Sequence, residues 1–189
     1  MAHKKDAFKL TIHMASSLDG VIAKPDNSMA WFDTVDVYEK GATLTEKDIA
    51  EFLKSIDCYV MGSRTYEHAL ALSKTHGWAY GDVPVIVLTN RTLSADGKNI
   101  EFYSGDLNDL VNDQLKPNYN NVWVAGGAAV VKDMVRLKLA DEIRLSIIPI
   151  ILGDGKLFFD HIGKEQPLHL KNVTAYKNGI VELHYEIKK

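Results

Sequence analysis

Two short glycine-containing segments constrain this chain more than any other feature, because each follows an apolar run and precedes a helical pattern. They lie at residues 60–66 (Val-Met-Gly-Ser-Arg-Thr-Tyr) and 122–128 (Val-Trp-Val-Ala-Gly-Gly-Ala). The first N–H groups of a helix lack partners within the helix, and the helix dipole makes that end positive. Glycine lets a phosphate approach the backbone and permits a positive φ in the turn. Either turn alone is typical of an ordinary strand–helix connection, but the pair indicates a nucleotide with several phosphates.

Length and composition favour one globular domain that spans residues 1–189. Of the 189 residues, 46% are hydrophobic and 25% are charged, which is close to the average for globular proteins. The net charge of -3 argues against nucleic acid as a partner. Cys58 is the only cysteine, which excludes an intrachain disulfide and favours a cytoplasmic location. No apolar segment has the length of a membrane span, and residues 1–7 are expected to form a loose leader.

Short apolar runs alternate with helical patterns along most of the chain, which is typical of an α/β protein with a largely parallel sheet. We expect strands at 8–14, 58–61, 83–89, 100–103, 121–125 and 143–151. We expect helices at 65–72, 107–115 and 128–139, and an irregular loop at 15–43. Ligands of such sheets bind at the carboxyl ends of the strands, where both glycine turns must lie.

The helix that follows Thr45 has clear local signals. Thr45 can cap it, an acid stands in its first turn, and Leu44 can pack on Ile49 as a hydrophobic staple. The apolar residues keep helical spacing and predict one buried face, formed by Ile49, Phe52, Leu53 and Ile56.

Asn178-Gly179 separates two apolar runs, at 173–176 and 180–187, and predicts a hairpin with a type I′ turn. Pro149 interrupts the apolar run at 143–151 and indicates an edge strand or a bulge there. The sequence therefore predicts a largely parallel central sheet to which an antiparallel hairpin is added at the C-terminal end.

Five motifs, in chain order, resemble those of a known enzyme group. They are Ala-Ser-Ser-Leu-Asp-Gly at 15–20, Gly-Ser-Arg-Thr-Tyr-Glu at 62–67, Val-Leu-Thr-Asn-Arg at 87–91, Ala-Gly-Gly-Ala at 125–128 and Ile-Pro-Ile-Ile-Leu-Gly-Asp-Gly at 148–155. The order of elements resembles the dihydrofolate reductase fold, and the motifs are most similar to those of the reductase domain of riboflavin biosynthesis. The matches run from about Phe8 to Tyr185. This resemblance implies a three-layer fold in which helices flank the central sheet.

The resemblance also implies NADPH as the cofactor. A guanidinium offers a planar fork of donors to a phosphate, and nearby hydroxyls can complete the shell, which suits Arg64 near the 2′-phosphate. The residues that the resemblance implies for cofactor binding are Ala15, Ile22, Gly62, Ser63, Arg64, Thr65, Thr89, Asn90, Arg91, Gly126, Gly127 and Ala128.

The substrate side departs from the family pattern. The riboflavin-pathway enzymes usually carry a lysine at the position of His13 and a glutamate at the position of Ala125, which argues against their sugar-phosphate substrate. Asp36 follows Trp31 by the spacing found in dihydrofolate reductases, although the proline usual between them is missing. Such an acid protonates a pterin as hydride arrives, so Asp36 is the catalytic candidate, and the alternative is an ordinary solvated acid in a loop or at a helix cap. Trp31, Asp19 and His13 are the substrate-binding candidates.

We therefore expect an NADPH-dependent reductase of a small conjugated heterocycle such as a pterin, a pyrimidine or a flavin precursor. Two alternatives stay open: a non-catalytic NADP(H)-binding or regulatory module, and a true dihydrofolate reductase that uses Asp36. The sequence has no His-x-x-x-His cluster and no Gly-x-Gly-x-x-Gly fingerprint, so we expect neither a metal site nor an ordinary Rossmann dehydrogenase. The resemblance, together with the apolar run at 147–152, predicts a homodimer.

Overall fold

An eight-stranded sheet and a two-stranded ribbon organise the chain in the computed structural model, which describes residues 8–26, 28, 30–95 and 99–189. The predicted leader at residues 1–7 lies outside the described residues. In chain order the strands are β1 (Lys9–Ser17), β2 (Val21–Ala23), β3 (Cys58–Gly62), β4 (Val85–Leu88), β5 (Ile100–Tyr103), β6 (Asn121–Gly126), β7 (Glu142–Ile148), β8 (Lys156–Leu157), β9 (Leu168–Ala175) and β10 (Val181–Ile187). Strands β2 and β8 form the antiparallel ribbon.

The order of strands in the large sheet is β5-β4-β3-β6-β1-β7-β10-β9. All neighbours from β5 to β7 pair in parallel, whereas β10 is antiparallel to both β7 and β9. The predicted α/β class, with a largely parallel sheet and an antiparallel C-terminal hairpin, is confirmed. The carboxyl ends of β3, β6, β1 and β7 consequently lie side by side at one edge of the sheet, where the site is found.

Helices cover both faces of the sheet. They are α1 (Glu46–Lys54), α2 (Ser63–His76), α3 (Leu107–Asp109), α4 (Lys116–Asn118) and α5 (Ala128–Arg136), with a π-helical stretch at Leu110–Leu115 between α3 and α4. On one face α5 packs its Met134 against Ile12 and Val124. On the other face α2 packs its Tyr66 in a second buried cluster with Met61. The three-layer arrangement is thus confirmed, and no described helix is long and apolar enough to cross a bilayer.

The predicted cap of α1 is confirmed, but its predicted buried face is wrong in part. The Asp48 N–H donates to Thr45 Oγ1 over 3.2 Å, and the Thr45 N–H donates to the Asp48 carboxylate over 2.9 Å. Ile49 and Leu53 remain 42% and 38% exposed. The reason is tertiary: α1 turns Phe52 toward the sheet, while Leu53 faces the cavity described below.

Several element boundaries also differ from the sequence-based expectation. The loop expected at 15–43 contains the end of β1, the short strand β2 and a 3₁₀ turn at Ala30–Phe32. Helix α2 extends beyond 65–72 at both ends, whereas α5 ends before 139 because Lys138 adopts a φ of 57°. These differences lie at helix and strand ends, where local sequence signals are weakest.

The turn of the C-terminal hairpin is not the predicted type I′ turn. The Gly179 N–H donates to the Tyr176 carbonyl over 3.0 Å, and the Tyr176 N–H donates to the Ile180 carbonyl over 2.8 Å. Gly179 has a φ of 78°, but Asn178 lies outside the left-handed region. A type I′ turn requires a positive φ at both central residues, so this is a three-residue loop that ends in a left-handed glycine.

Strand β7 is not the edge strand that Pro149 suggested. It ends at Ile148 and not at the expected residue 151, because Pro149 has no N–H to donate. It pairs with β1 on one side and with β10 on the other, so the hairpin covers its edge. The homodimer therefore rests on the family resemblance and stays a prediction. Light scattering at micromolar concentration should give twice the chain mass of 21.1 kDa, and a mass near 21.1 kDa would contradict it.

Candidate functional site

A large cavity lies along the carboxyl ends of the central strands. Its volume is 1370 Å³, above the range of about 300–1,000 Å³ that is usual for a single small-molecule pocket. Residues from four neighbouring strands line it, namely Ala15 of β1, Gly62 of β3, Ala125 of β6 and Ser146 of β7. The cavity has room for a dinucleotide and a second small molecule.

The N-termini of α2 and α5 meet at this cavity. Gly62 is the N-cap of α2 and Gly127 is the N-cap of α5, and neither end receives a side-chain cap hydrogen bond. A Cβ placed on Gly62 would lie 3.9 Å from the Gly127 nitrogen, and one placed on Gly127 would lie 3.4 Å from Thr65 Oγ1. Two sets of unpartnered backbone N–H groups and two positive dipole ends thus converge on one place, which suits a diphosphate.

The two consecutive glycines at the start of α5 differ in their φ angles and in the space that a side chain would have. Gly126 has a φ of 99°, and a Cβ there would lie 2.7 Å from Met14 Sδ, so the folded chain itself needs glycine. Gly127 has a φ of -84°, which any residue adopts, and its nearest neighbour is Thr65 Oγ1. Neither this φ nor a close contact therefore demands glycine at 127, and the missing side chain leaves a cradle beside the helix end.

The two arginines expected at the cofactor end are placed differently. Arg64 lines the cavity, and no ion pair involves it within the described part of the chain. Arg91 lies outside the lining, and its guanidinium pairs with Glu67 across 2.7 Å. The backbone N–H of Arg91 donates to Thr89 Oγ1 over 3.0 Å. Arg64 is therefore the guanidinium that is available to a phosphate in the cavity.

The structure brings most of the predicted cofactor residues together at the cavity. Those that line the cavity are Ala15, Ile22, Gly62, Ser63, Arg64, Thr65, Gly127 and Ala128. Those outside its lining are Gly126, Thr89, Asn90 and Arg91. Among the residues that the structure describes, no three His, Cys, Asp or Glu side chains are grouped as metal ligands would be.

His13 lies in the cavity on β1, among aromatic rings. Its imidazole stacks on Trp123 with centroids 4.7 Å apart, and its Nε2 lies 3.6 Å from a Glu182 carboxylate oxygen. Burial, and then the charges of Arg144 and His184, lower the pKa of His13 to about 4. The imidazole is therefore neutral at pH 7, and its buried Nδ1 has no hydrogen-bond partner in the described structure.

Asp19 ties the turn after β1 to a distant loop rather than lining the cavity. Its carboxylate accepts hydrogen bonds from Ser17 Oγ at 2.5 Å, from the Gly153 N–H at 2.8 Å and from the Leu152 N–H at 3.1 Å. These bonds, first the one from Ser17, lower the pKa of Asp19 to about 2. The structure thus gives Asp19 a positioning role in this loop.

The other two substrate-side candidates do not line the cavity either. Trp31 is buried and packs on Phe32, which does line it. Asp36 is exposed, and its carboxylate lies against Gly179 in the turn of the C-terminal hairpin. The spacing of Trp31 and Asp36 in the sequence therefore does not bring both residues to the cavity.

The sequence analysis missed the aromatic part of the lining. Trp123 and Tyr59 are register partners on β6 and β3, and both line the cavity with Tyr80. Period-two alternation could have found the first two, because Val122 and Val124 point to the opposite face of β6. Tyr80 comes from a segment after α2, and no local pattern places it.

Comparison with known proteins finds a matching family model and several similar proteins. A model of the RibD C-terminal domain matches residues 8–182. The uncharacterized protein YwjB of Bacillus subtilis is 29% identical over 177 residues, which cover 94% of this chain and 97% of YwjB. A solved structure of a candidate riboflavin biosynthesis protein from Shewanella sp. PV-4 superposes with a TM-score of 0.80 at 22% identity, covering 96% of this chain and all of that one.

A second solved structure has the same fold. It is a pyrimidine reductase-like protein from Corynebacterium diphtheriae, with a TM-score of 0.61 at 13% identity, and it covers 96% of this chain and 92% of its own. At these identities the structural likeness shows the fold alone. The family model spans nearly the whole chain and confirms the resemblance inferred from the motifs. This protein therefore belongs to the RibD C-terminal domain family, the riboflavin-biosynthesis reductase-like group with a dihydrofolate reductase-like fold.

Proposed function

We propose that this chain is an NADPH-dependent reductase that transfers a hydride to a small conjugated heterocycle. The observation that carries the proposal is the convergence of two helix N-termini, at Gly62 and Gly127, on one 1370 Å³ cavity. That arrangement suits the diphosphate of a dinucleotide and leaves space for a second molecule. Membership of a reductase-like family supports the same conclusion.

The residues present fit the cofactor. The first N–H groups of α2 and α5 would hold the diphosphate, and the cradle at Gly127 would let it approach the backbone. Arg64 would bind the 2′-phosphate with its guanidinium, as the neighbouring hydroxyls of Ser63 and Thr65 complete the shell. When bound, NADPH supplies the hydride, and the protein aligns it with the substrate.

Asp36 has no part in this proposal, because it lies at the hairpin turn outside the cavity lining. A measurement of turnover distinguishes the proposed reductase from the alternative, a non-catalytic NADP(H)-binding or regulatory module. Oxidation of NADPH, followed at its absorbance maximum, should accelerate with at least one compound from a panel of pterins, dihydrofolate, pyrimidine sugars and quinones. If the protein binds NADPH tightly but accelerates its oxidation with none of them, the binding module is the better description.

Replacing Arg64 with alanine should weaken NADPH binding and leave NADH binding nearly unchanged. Hydrogen bonds to charged groups contribute about 1.5–3 kcal/mol, so we expect a loss of about 10- to 100-fold for NADPH. Calorimetric titration of both cofactors measures the effect. Arg136→Ala is the matched control, because Arg136 is exposed in the last turn of α5 and outside the cavity lining. Equal wild-type affinity for NADPH and NADH would contradict the assignment.

A further inference from the structure

The charged side chains that line the cavity come from outside the eight-stranded sheet. Among the described lining residues the charged side chains are Arg64, Glu67, Lys132, Lys156 and Asp160. They come from α2, from α5 and from the segment that begins at β8. The lining residues from β1, β3, β6 and β7, from α1 and from positions 79–80 carry no charge other than the titratable His13. The sheet side of the cavity, which we call the uncharged end, thus carries no fixed charge.

On the uncharged end lies an aromatic box, which we define as the lining residues His13, Tyr59, Tyr80 and Trp123 together with Phe52, which packs on two of them. Trp123 is its centre: its ring centroid lies 4.7 Å from that of His13, 5.4 Å from Tyr59 and 5.5 Å from Phe52. Tyr80 meets Tyr59 edge-on at 4.8 Å. The Trp123 Nε1–H donates to the His13 carbonyl over 2.7 Å, which fixes the indole on the sheet.

The polar groups of the aromatic box are neutral at pH 7. Burial is the main cause that lowers the pKa of His13 to about 4 and raises the pKa of Tyr80 to about 12. Arg144 and Glu182 lie beside the box, but they pair with each other across 3.5 Å, and the guanidinium also sits 5.4 Å from the Phe52 ring centroid. Within the box and this neighbouring pair, as the structure describes them, a ligand charge would therefore meet no unpaired opposite charge.

We propose that the aromatic box binds an uncharged, flat ring system and selects against substrates that carry a carboxylate or a phosphate at this end. This inference rests on the proposed reductase function, because it assigns the N-termini of α2 and α5 to the cofactor. Flat rings gain from stacking on aromatic side chains. An ionised group transferred there would lose its hydration without a compensating partner.

The test compares pterin with pterin-6-carboxylate, which share one ring system and differ by a single negative charge. Both are titrated calorimetrically into protein saturated with NADP⁺, so that the helix N-termini are filled and the oxidised cofactor permits no turnover. We expect pterin to bind at least about tenfold more tightly than its carboxylate, the ratio that corresponds to about 1.4 kcal/mol. Equal or tighter binding of the carboxylate, or no binding of pterin, overturns the inference.

Two variants sharpen the test. Ala125→Lys places a cation in the uncharged end and should reverse the preference, so that the carboxylate binds more tightly than pterin. Val173→Lys adds the same charge on the exposed strand β9 and should leave the ratio unchanged.

Trp123→Leu should weaken pterin binding by about tenfold without changing NADP⁺ affinity, since stacking is lost and the cradles are intact. A pterin affinity that Trp123→Leu does not change would remove the aromatic box from the binding site.

The same titrations separate this inference from the proposed function. If NADP⁺ itself does not bind, the reductase assignment fails, and the pterin affinities of wild type and Trp123→Leu then decide the inference alone. If NADP⁺ binds but the carboxylate is preferred over pterin, the reductase assignment stands and the proposed selectivity is wrong.

Discussion

Replacing Gly127 with valine is expected to abolish NADPH binding, with a loss of at least about 100-fold, the equivalent of two hydrogen bonds to a charged group. The side chain would project beside Thr65 Oγ1, into the cradle where the two helix N-termini meet. The diphosphate would then be held away from the first N–H groups of α2 and α5. Calorimetric titration with NADPH measures the loss, and normal affinity in the variant would show that this turn is merely structural.

The neighbouring glycine separates loss of binding from loss of folding. Gly127→Val should fold with reduced stability, because a φ of -84° is open to valine and Thr65 can shift slightly. Gly126→Val should instead destabilise the chain severely, since φ is 99° and Met14 blocks the side chain. Thermal unfolding of both variants gives this comparison. If Gly127→Val does not fold, Gly127→Ala is tested in its place, because it adds a single methyl group at an ordinary contact distance.

Acidification from pH 7.5 to pH 4 is expected to remove about 3 kcal/mol of stability through His13 alone, the product of its pKa shift and about 1.36 kcal/mol per unit. Folding lowers the pKa of His13 from 6.5 to about 4, so in this window the unfolded chain binds the proton more readily. The stabilisation is fully present above pH 6.5, is lost as the pH falls, and does not change further below the folded pKa. The side chain is only 15% exposed, so solvent screening reduces this figure little.

Urea unfolding at the two pH values measures this effect, and His13→Phe is the control. Phenylalanine keeps an aromatic ring beside Trp123 and Phe52 but cannot titrate, so its stability should fall much less between pH 7.5 and pH 4. The carboxylate of Glu142 affects stability over a lower pH range than His13 does. Burial raises its pKa, but hydrogen bonds from Lys171, His184 and Lys9 outweigh burial and bring the pKa to about 2. Identical losses in wild type and His13→Phe would contradict the account of His13.

Local sequence rules predicted the features that depend on neighbouring residues. The cap at Thr45 and the glycine turns that precede α2 and α5 follow from a few consecutive residues, and the motifs identified the fold across nearly the whole chain. The end of β7 at Ile148, before the expected end at 151, is explained by the missing N–H of Pro149, but the sequence could not show that β10 covers the strand. That pairing joins residues far apart along the chain.

The position of Arg91 and the substrate side were predicted less well, since tertiary contacts decide both. The pairing of Arg91 with Glu67 joins residues 24 positions apart and takes that arginine away from the cavity. Asp36 is placed by the hairpin turn at Gly179 and not by its spacing from a tryptophan. Tyr80 reaches the aromatic box from a loop whose path depends on packing after α2. No pattern in the sequence places such contacts.

A crystal structure of this protein with NADP⁺ tests the central claim most directly. In this account, the adjacent N-termini of α2 and α5 form the dinucleotide site. We expect the diphosphate oxygens within about 2.7–3.2 Å of backbone nitrogens at the starts of both helices, with the 2′-phosphate on Arg64. A diphosphate bound elsewhere, or a cofactor that contacts neither helix N-terminus, would contradict the account.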